Sequence, residues 1–93
     1  MVKIDAEGFD LKALQGASSL FETTDVFLVE CSVCCRSYEN SVHAVCDFMG
    51  SNGYRIFDIT DINRSPKHNL LWLSEVVFVR EKSDVWTKVD AYE

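Results

Sequence analysis

The sequence predicts an α/β domain in which a small sheet carries helices between its strands. Three observations lead there. The spacing of apolar residues switches several times between the alternation of a strand and the three-to-four spacing of a helix. The apolar runs Val26–Val29 and Val76–Val79 are strand-sized and rich in β-branched and aromatic side chains. The last two strand-like segments are joined by a connection too short for a crossover helix, so they pair antiparallel.

The elements follow in chain order. Val2-Lys3-Ile4-Asp5 alternates as the end of a strand, and Ala6-Glu7-Gly8 turns the chain. Asp10 suits a helix first turn, where carboxylates meet the free amides. Leu11, Leu14, Ala17, Leu20 and Phe21 recur at helical spacing, interrupted by Gly16, which predicts a helix near 9–15 and a loose turn to Glu22. Val26-Phe27-Leu28-Val29 reads as a strand buried on both faces, as parallel strands are, ending at Glu30-Cys31-Ser32. Asn40 or Ser41 caps a second helix with Val42, Val45, Cys46 and Met49 on its inner face, and Ser51-Asn52-Gly53 closes it. Tyr54–Ile62 is a strand leaving the sheet, Asn63–Asn69 a loop with the only proline, and Leu70–Arg80 one or two strand segments. Right-handed crossovers make the first three strands parallel. Residues 1–82 form one domain, and Ser83–Glu93, with Val85, Trp86, Val89 and Tyr92 at helical spacing, a tail or short docked helix.

Ninety-three residues make one small domain with a thin core. The net charge of −6, from 9 basic and 15 acidic residues, argues against nucleic acid, which calls for a basic stripe, and against a polybasic membrane surface. No apolar run spans a bilayer. A charge interrupts the amino terminus before any secretory h-region forms, and Cys31, Cys34 and Cys35 crowd too closely to staple distant loops. A cytoplasmic protein with reduced thiols is expected.

The motif that carries chemistry is Lys3-Ile4-Asp5-Ala6-Glu7-Gly8, followed by Leu14-Gln15-Gly16-Ala17. It sets two carboxylates just past a strand's carboxyl end, beside a helix N-terminus, where open α/β sheets bind ligands. Gly8 lets backbone approach a ligand or take a positive φ. The plainer alternative is that Asp5 and Glu7 only cap the helix.

This string, extended through Phe9-Asp10, resembles the FkbM family of S-adenosylmethionine-dependent methyltransferases, whose pattern here reads approximately K-I-D-x-E-G-x-E, then L-x-G-A. Val26–Glu30 is similar to that family's next strand, Gly53–Ile59 to its G-Y-x-L-F-x-I strand, and Val76–Arg80 to its final strand. The resemblance implies a class I Rossmann-like sheet ordered 3-2-1-4-5-7-6, of which this chain supplies the carboxyl-terminal half, strands 4-5-7-6 with the last antiparallel. The glycine-rich turn after strand 1 and the ribose-binding acid after strand 2 have no counterpart, and none of the 4 glycines falls in G-x-G spacing. The parent activity implied is methyl transfer to a hydroxyl of a small molecule, sugar or lipid, with the fragment alone inactive.

By the same resemblance, Asp5 takes the acidic position after strand 4, near the cofactor's methionine end and the acceptor. There it would accept the acceptor hydroxyl's proton. Whether Glu7 shares that role, orients the acceptor or only closes the helix stays open. Glu30 matches the acidic end of strand 5 and is an expected acceptor contact. No role carries over to Phe9.

Other groups compete less well. Cys31-Ser32-Val33-Cys34 has C-x-x-C spacing, but a structural zinc needs four ligands and no second pair accompanies it, although Cys35, Cys46, His43 and His68 remain to be recruited. No metal site is expected. His43 and Asp47 suit a solvated helical ion pair. Trp72, Trp86 and Phe78 read as core or docking residues. Three further expectations concern the isolated chain. Asp5, Glu7 and Glu30 cluster at the carboxyl edge of adjacent parallel strands. S-adenosylmethionine binds weakly or not at all. The outer edge of the Val2–Asp5 strand is unpaired, so the chain forms homo-oligomers or pairs with a missing amino-terminal half. The remaining alternatives are a non-catalytic α/β fragment that self-associates and a small thiol or metal protein built on Cys31, Cys34 and Cys35.

Overall fold

A computed structural model describes residues 1–4, 10–21, 23–38 and 41–92. Its elements are β1 (Val2–Ile4), α1 (Asp10–Gly16), a 3-10 turn (Ser18–Leu20), β2 (Val26–Ser32), α2 (Val42–Ser51), β3 (Tyr54–Arg64), β4 (Leu71–Arg80) and α3 (Trp86–Asp90). One four-stranded mixed sheet has the order β1-β2-β4-β3. β1 and β2 are parallel, whereas β4 is antiparallel to both β2 and β3. β3 therefore points the same way as β1 and β2, as helical crossovers require, and the short 65–70 loop makes β3–β4 a hairpin.

Helices α1 and α2 lie on one face. Leu14 of α1 and Val45 and Met49 of α2 form one cluster with Phe27, Val29, Cys31, Tyr54, Val76 and Phe78, all at most 1% exposed. Burying side chains of this size is worth about 1.5–3 kcal/mol each. Phe21, Phe27, Phe48 and Tyr54 add a knot of rings, with Phe27 edge-on to both Phe21 and Tyr54 at 5.2 Å. The Tyr54 hydroxyl lies against the carbonyls of Phe21, at 3.0 Å, and Thr24. Arg80 Nη2 donates to the same two carbonyls at 2.8 and 3.0 Å, which fastens the turn before β2 onto the ends of β3 and β4.

Three sequence expectations change. β2 is not buried on both faces: Phe27, Val29 and Cys31 are buried while Val26, Leu28, Glu30 and Ser32 are half-exposed, because both α1 and α2 cover the same side. β2 also runs on through Ser32, so Cys31 lies within the strand rather than after it. Trp72 is not core; it is 53% exposed on the outer part of the hairpin. Phe78 is core, and Trp86 docks α3 by donating its indole N–H to the Arg80 carbonyl at 2.8 Å and meeting the Phe57 ring edge-on.

α2 is built as its sequence suggests. Ser41 caps it, accepting the Ala44 amide at 3.2 Å, and Gly53 follows the Asn52 cap with φ +85°, a conformation that costs glycine nothing. No helix among the described residues is long and apolar enough to cross a membrane.

Candidate functional site

Where parallel strands end, an α/β sheet opens a crevice to ligands. In this chain that edge holds the ends of β1, β2 and β3, the start of β4, and the N-terminus of α2. Asp5 and Glu7 lie outside the described residues, one and three positions beyond the last residue of β1. Glu30 is described. Ile4 pairs with Val29, so Glu30 stands on the next rung, level with the point where β1 gives out.

Alternation puts Glu30 on the sheet face away from α1 and α2. Directly across from it on β4 stands Glu75. Like charges so placed repel, and the neighbours supply the counterweight. Lys3 Nζ reaches across β2 to within 3.7 Å of Glu75 Oε2, and the Thr60 hydroxyl donates to Glu75 Oε1 at 2.8 Å. Lys3, Glu30, Glu75 and Thr60 thus form a polar island drawn from all four strands. Sequence reasoning quoted Lys3 without giving it a role and passed over Glu75. Only the register between β2 and β4 brings Glu75 opposite Glu30, and that register is a long-range property.

The connection from β2 to α2 shapes the same edge. Val33 and Cys34 amides donate to the Trp72 and Leu71 carbonyls at 2.9 and 3.0 Å, extending the sheet's grip past Ser32. Further on, the Tyr38 hydroxyl donates to Asp47 Oδ2 at 2.6 Å, and His43 Nε2 sits 3.4 Å from that oxygen. The bond to Asp47 holds the Tyr38 phenol above its ordinary pKa. His43 and Asp47 are both largely exposed, as a solvated helical pair should be.

The thiols do not converge. Cys31 is buried on the core face with its S–H aimed at the Val29 carbonyl, whereas Cys34 and Cys35 are exposed. Cys46 is half-buried, and burial raises its thiol pKa, with the Asp47 charge adding to the effect. Among the described residues no three His, Cys, Asp or Glu side chains are placed to share a metal ion.

The described residues also line two hollows. One hollow is lined by Cys46, Gly50, Tyr54, Ile56, Trp86 and Val89, a second by Phe21, Gly53, Tyr54 and Arg80. Both sit where β3 begins and β4 ends, the opposite edge of the sheet from the strand ends that carry Glu30 and lead to Asp5.

The arrangement defines an α/β domain with an acidic edge where its first two parallel strands end. Residues 1–56, more than half of the chain, match the Methyltransferase FkbM domain. The chain belongs to that family of methyltransferases. No curated protein and no solved structure matches it. The family match stops at Ile56, so the resemblance drawn for Val76–Arg80 rests on strand order rather than on that match.

Proposed function

We propose that this chain is the carboxyl-terminal half of an S-adenosylmethionine-dependent O-methyltransferase. The family match over residues 1–56 is the observation that carries the reading. Order and direction support it: β1-β2-β4-β3, with β4 reversed, is the arrangement that strands 4-5-7-6 of a class I methyltransferase sheet would take.

Most contacts to the cofactor then belong to a complementary half that carries the glycine-rich turn. Two features of this chain suit such a half. β1 has β2 on one side and an unpaired outer edge among the described residues, a template for a further strand. The sheet face away from α1 and α2, with Val26, Leu28, Leu73 and Val77 half-exposed, has the apolar character of a surface awaiting a second helix layer.

In this reading Asp5 takes the proton that an acceptor hydroxyl sheds as its oxygen is methylated, with Glu7 sharing or orienting. Glu30 holds the acceptor from the neighbouring strand, across from Glu75 in the register. The acceptor is a small molecule, sugar or lipid bearing a hydroxyl. The test is methyl transfer by this chain reassembled with a family amino-terminal half. Asp5→Asn should lower kcat by about 10²–10⁴ with cofactor binding retained, as loss of a general base does. Glu30→Gln should act chiefly on KM for the acceptor. Full activity in Asp5→Asn would remove the proton-acceptor role.

A further inference from the structure

Exposed apolar side chains are not spread evenly over this molecule. Of the ten large hydrophobic residues that stand exposed among the described ones, six fall between Ile56 and Trp72, on the β3–β4 hairpin and its loop. Register sorts them. Ile56 lies opposite Phe78, Ile59 opposite Val76 and Ile62 opposite Ser74, and Trp72 is two residues along β4 from Ser74. All four therefore share the face that α1 and α2 cover further in. The helices stop short, leaving Ile56, Ile59, Ile62 and Trp72 at 47, 52, 58 and 53% exposure.

We propose that this row is an interface with a second copy of the chain. The chain has surface to spare. A folded monomer of 10.6 kDa exposes about 5,500 Å², whereas this chain exposes 6200 Å². The row contributes to that excess together with the outer sheet face and the β1 edge. The radius of gyration, 13.6 Å, likewise exceeds the about 12 Å of a compact domain this long.

Charge and edge geometry select the face rather than the strand edge. With a net charge of −6, two copies repel unless they meet where charge is absent. The row has no ionisable side chain. Asp58, Asp61 and Arg64 pair with Val77, Glu75 and Leu71 and so occupy the other face, while the Arg55 guanidinium is tied up at the inner end of the row by the Gly50 and Tyr54 carbonyls and by Glu81. The β3 edge is blunted by register shifts near Phe57, Thr60 and Arg64. Its charge order, plus-minus-minus-plus, also sets like against like when β3 meets itself antiparallel about its centre. An apolar row is its own complement under a two-fold axis, as an isologous contact requires. Packing row on row leaves the acidic strand ends and the β1 edge free, and the inference is independent of the methyltransferase reading.

Light scattering and sedimentation of the 93-residue chain under reducing conditions, at about 50 µM, test it. The wild-type chain should be a dimer, and Ile59→Lys/Ile62→Lys a monomer with unchanged circular dichroism and a similar melting temperature. Independently, Trp86→Phe leaves Trp72 as the sole indole, and its emission should shift to the blue as concentration rises through dimerisation. A monomeric wild type, or a dimer that survives the double substitution, overturns the proposal. So does Trp72 emission indifferent to concentration, or a monomer that binds neutral phosphatidylcholine vesicles through this row.

Discussion

Tyr54 shows how much one side chain settles here. It opens β3, is 1% exposed, stacks within the aromatic knot, and shares the Phe21 and Thr24 carbonyls with Arg80. Burial raises its phenol pKa against the opposing pull of Arg80. A proton held more tightly in the fold than in the unfolded chain gives stability that is whole below the unfolded pKa, near 10, and is lost as pH climbs through the raised folded value. Melting temperature should therefore fall steeply above about pH 10. Tyr54→Phe should start about 1 kcal/mol less stable, because Arg80 keeps both carbonyls satisfied, and should lose less on the alkaline side. Melting curves from pH 7 to 11 read both effects; an equal alkaline fall in Tyr54→Phe would contradict the assignment. The thiols give a second check at this scale. A slow alkylating reagent should modify Cys34 and Cys35 first and Cys46 later, since its thiol is half-buried with a raised pKa. Cys31 should react only on unfolding. Mass spectrometry of a time course gives the order, and early Cys31 modification would contradict the buried placement.

At the scale of elements, what the sequence revealed depended on how local each signal was. Most of helix α2 was legible because its cap, narrowed to Asn40 or Ser41, and its closing glycine lie within about thirteen residues, although buried Ala44 was not among the inner-face residues read from the spacing. Ser41→Ala should cost about 1 kcal/mol, or about 4–8 °C in melting temperature; calorimetry that finds no change would deny the cap. The β3–β4 hairpin was legible because a short connection leaves no other pairing. Two features were not. The half-exposed outer face of β2 depends on which side α1 and α2 take, and hydropathy does not encode that. Trp72 looked like core because an indole carries the same signal whether or not a helix reaches it. At the site, Glu30 was visible as the acid within the next strand, whereas Asp5 and Glu7, visible as a spacing, lie outside the described residues. Glu75 and Lys3 joined Glu30 only through a register fixed by tertiary structure.

The whole molecule is thin. It measures 42 × 32 × 19 Å, room for a sheet and one layer of helices. A core of this size leaves little stability in reserve, so a single deep cut should be felt throughout. Phe27→Ala, at the centre of the ring knot, should remove about 3–5 kcal/mol, much of a small domain's total. Chemical denaturation would show this as a lowered midpoint or an unfolded chain, and an unchanged midpoint would contradict the described core.

The central proposal is that this FkbM-family chain holds the acceptor-side carboxylates of a methyltransferase, while a complementary glycine-rich half holds most of the cofactor. Isothermal titration of S-adenosylmethionine into the 93-residue chain tests it most directly, first alone and then after mixing with a family amino-terminal half. The account predicts no saturable binding by the chain alone and micromolar binding once the halves are combined. Tight one-to-one binding by the chain alone, at low micromolar strength or better, would contradict it.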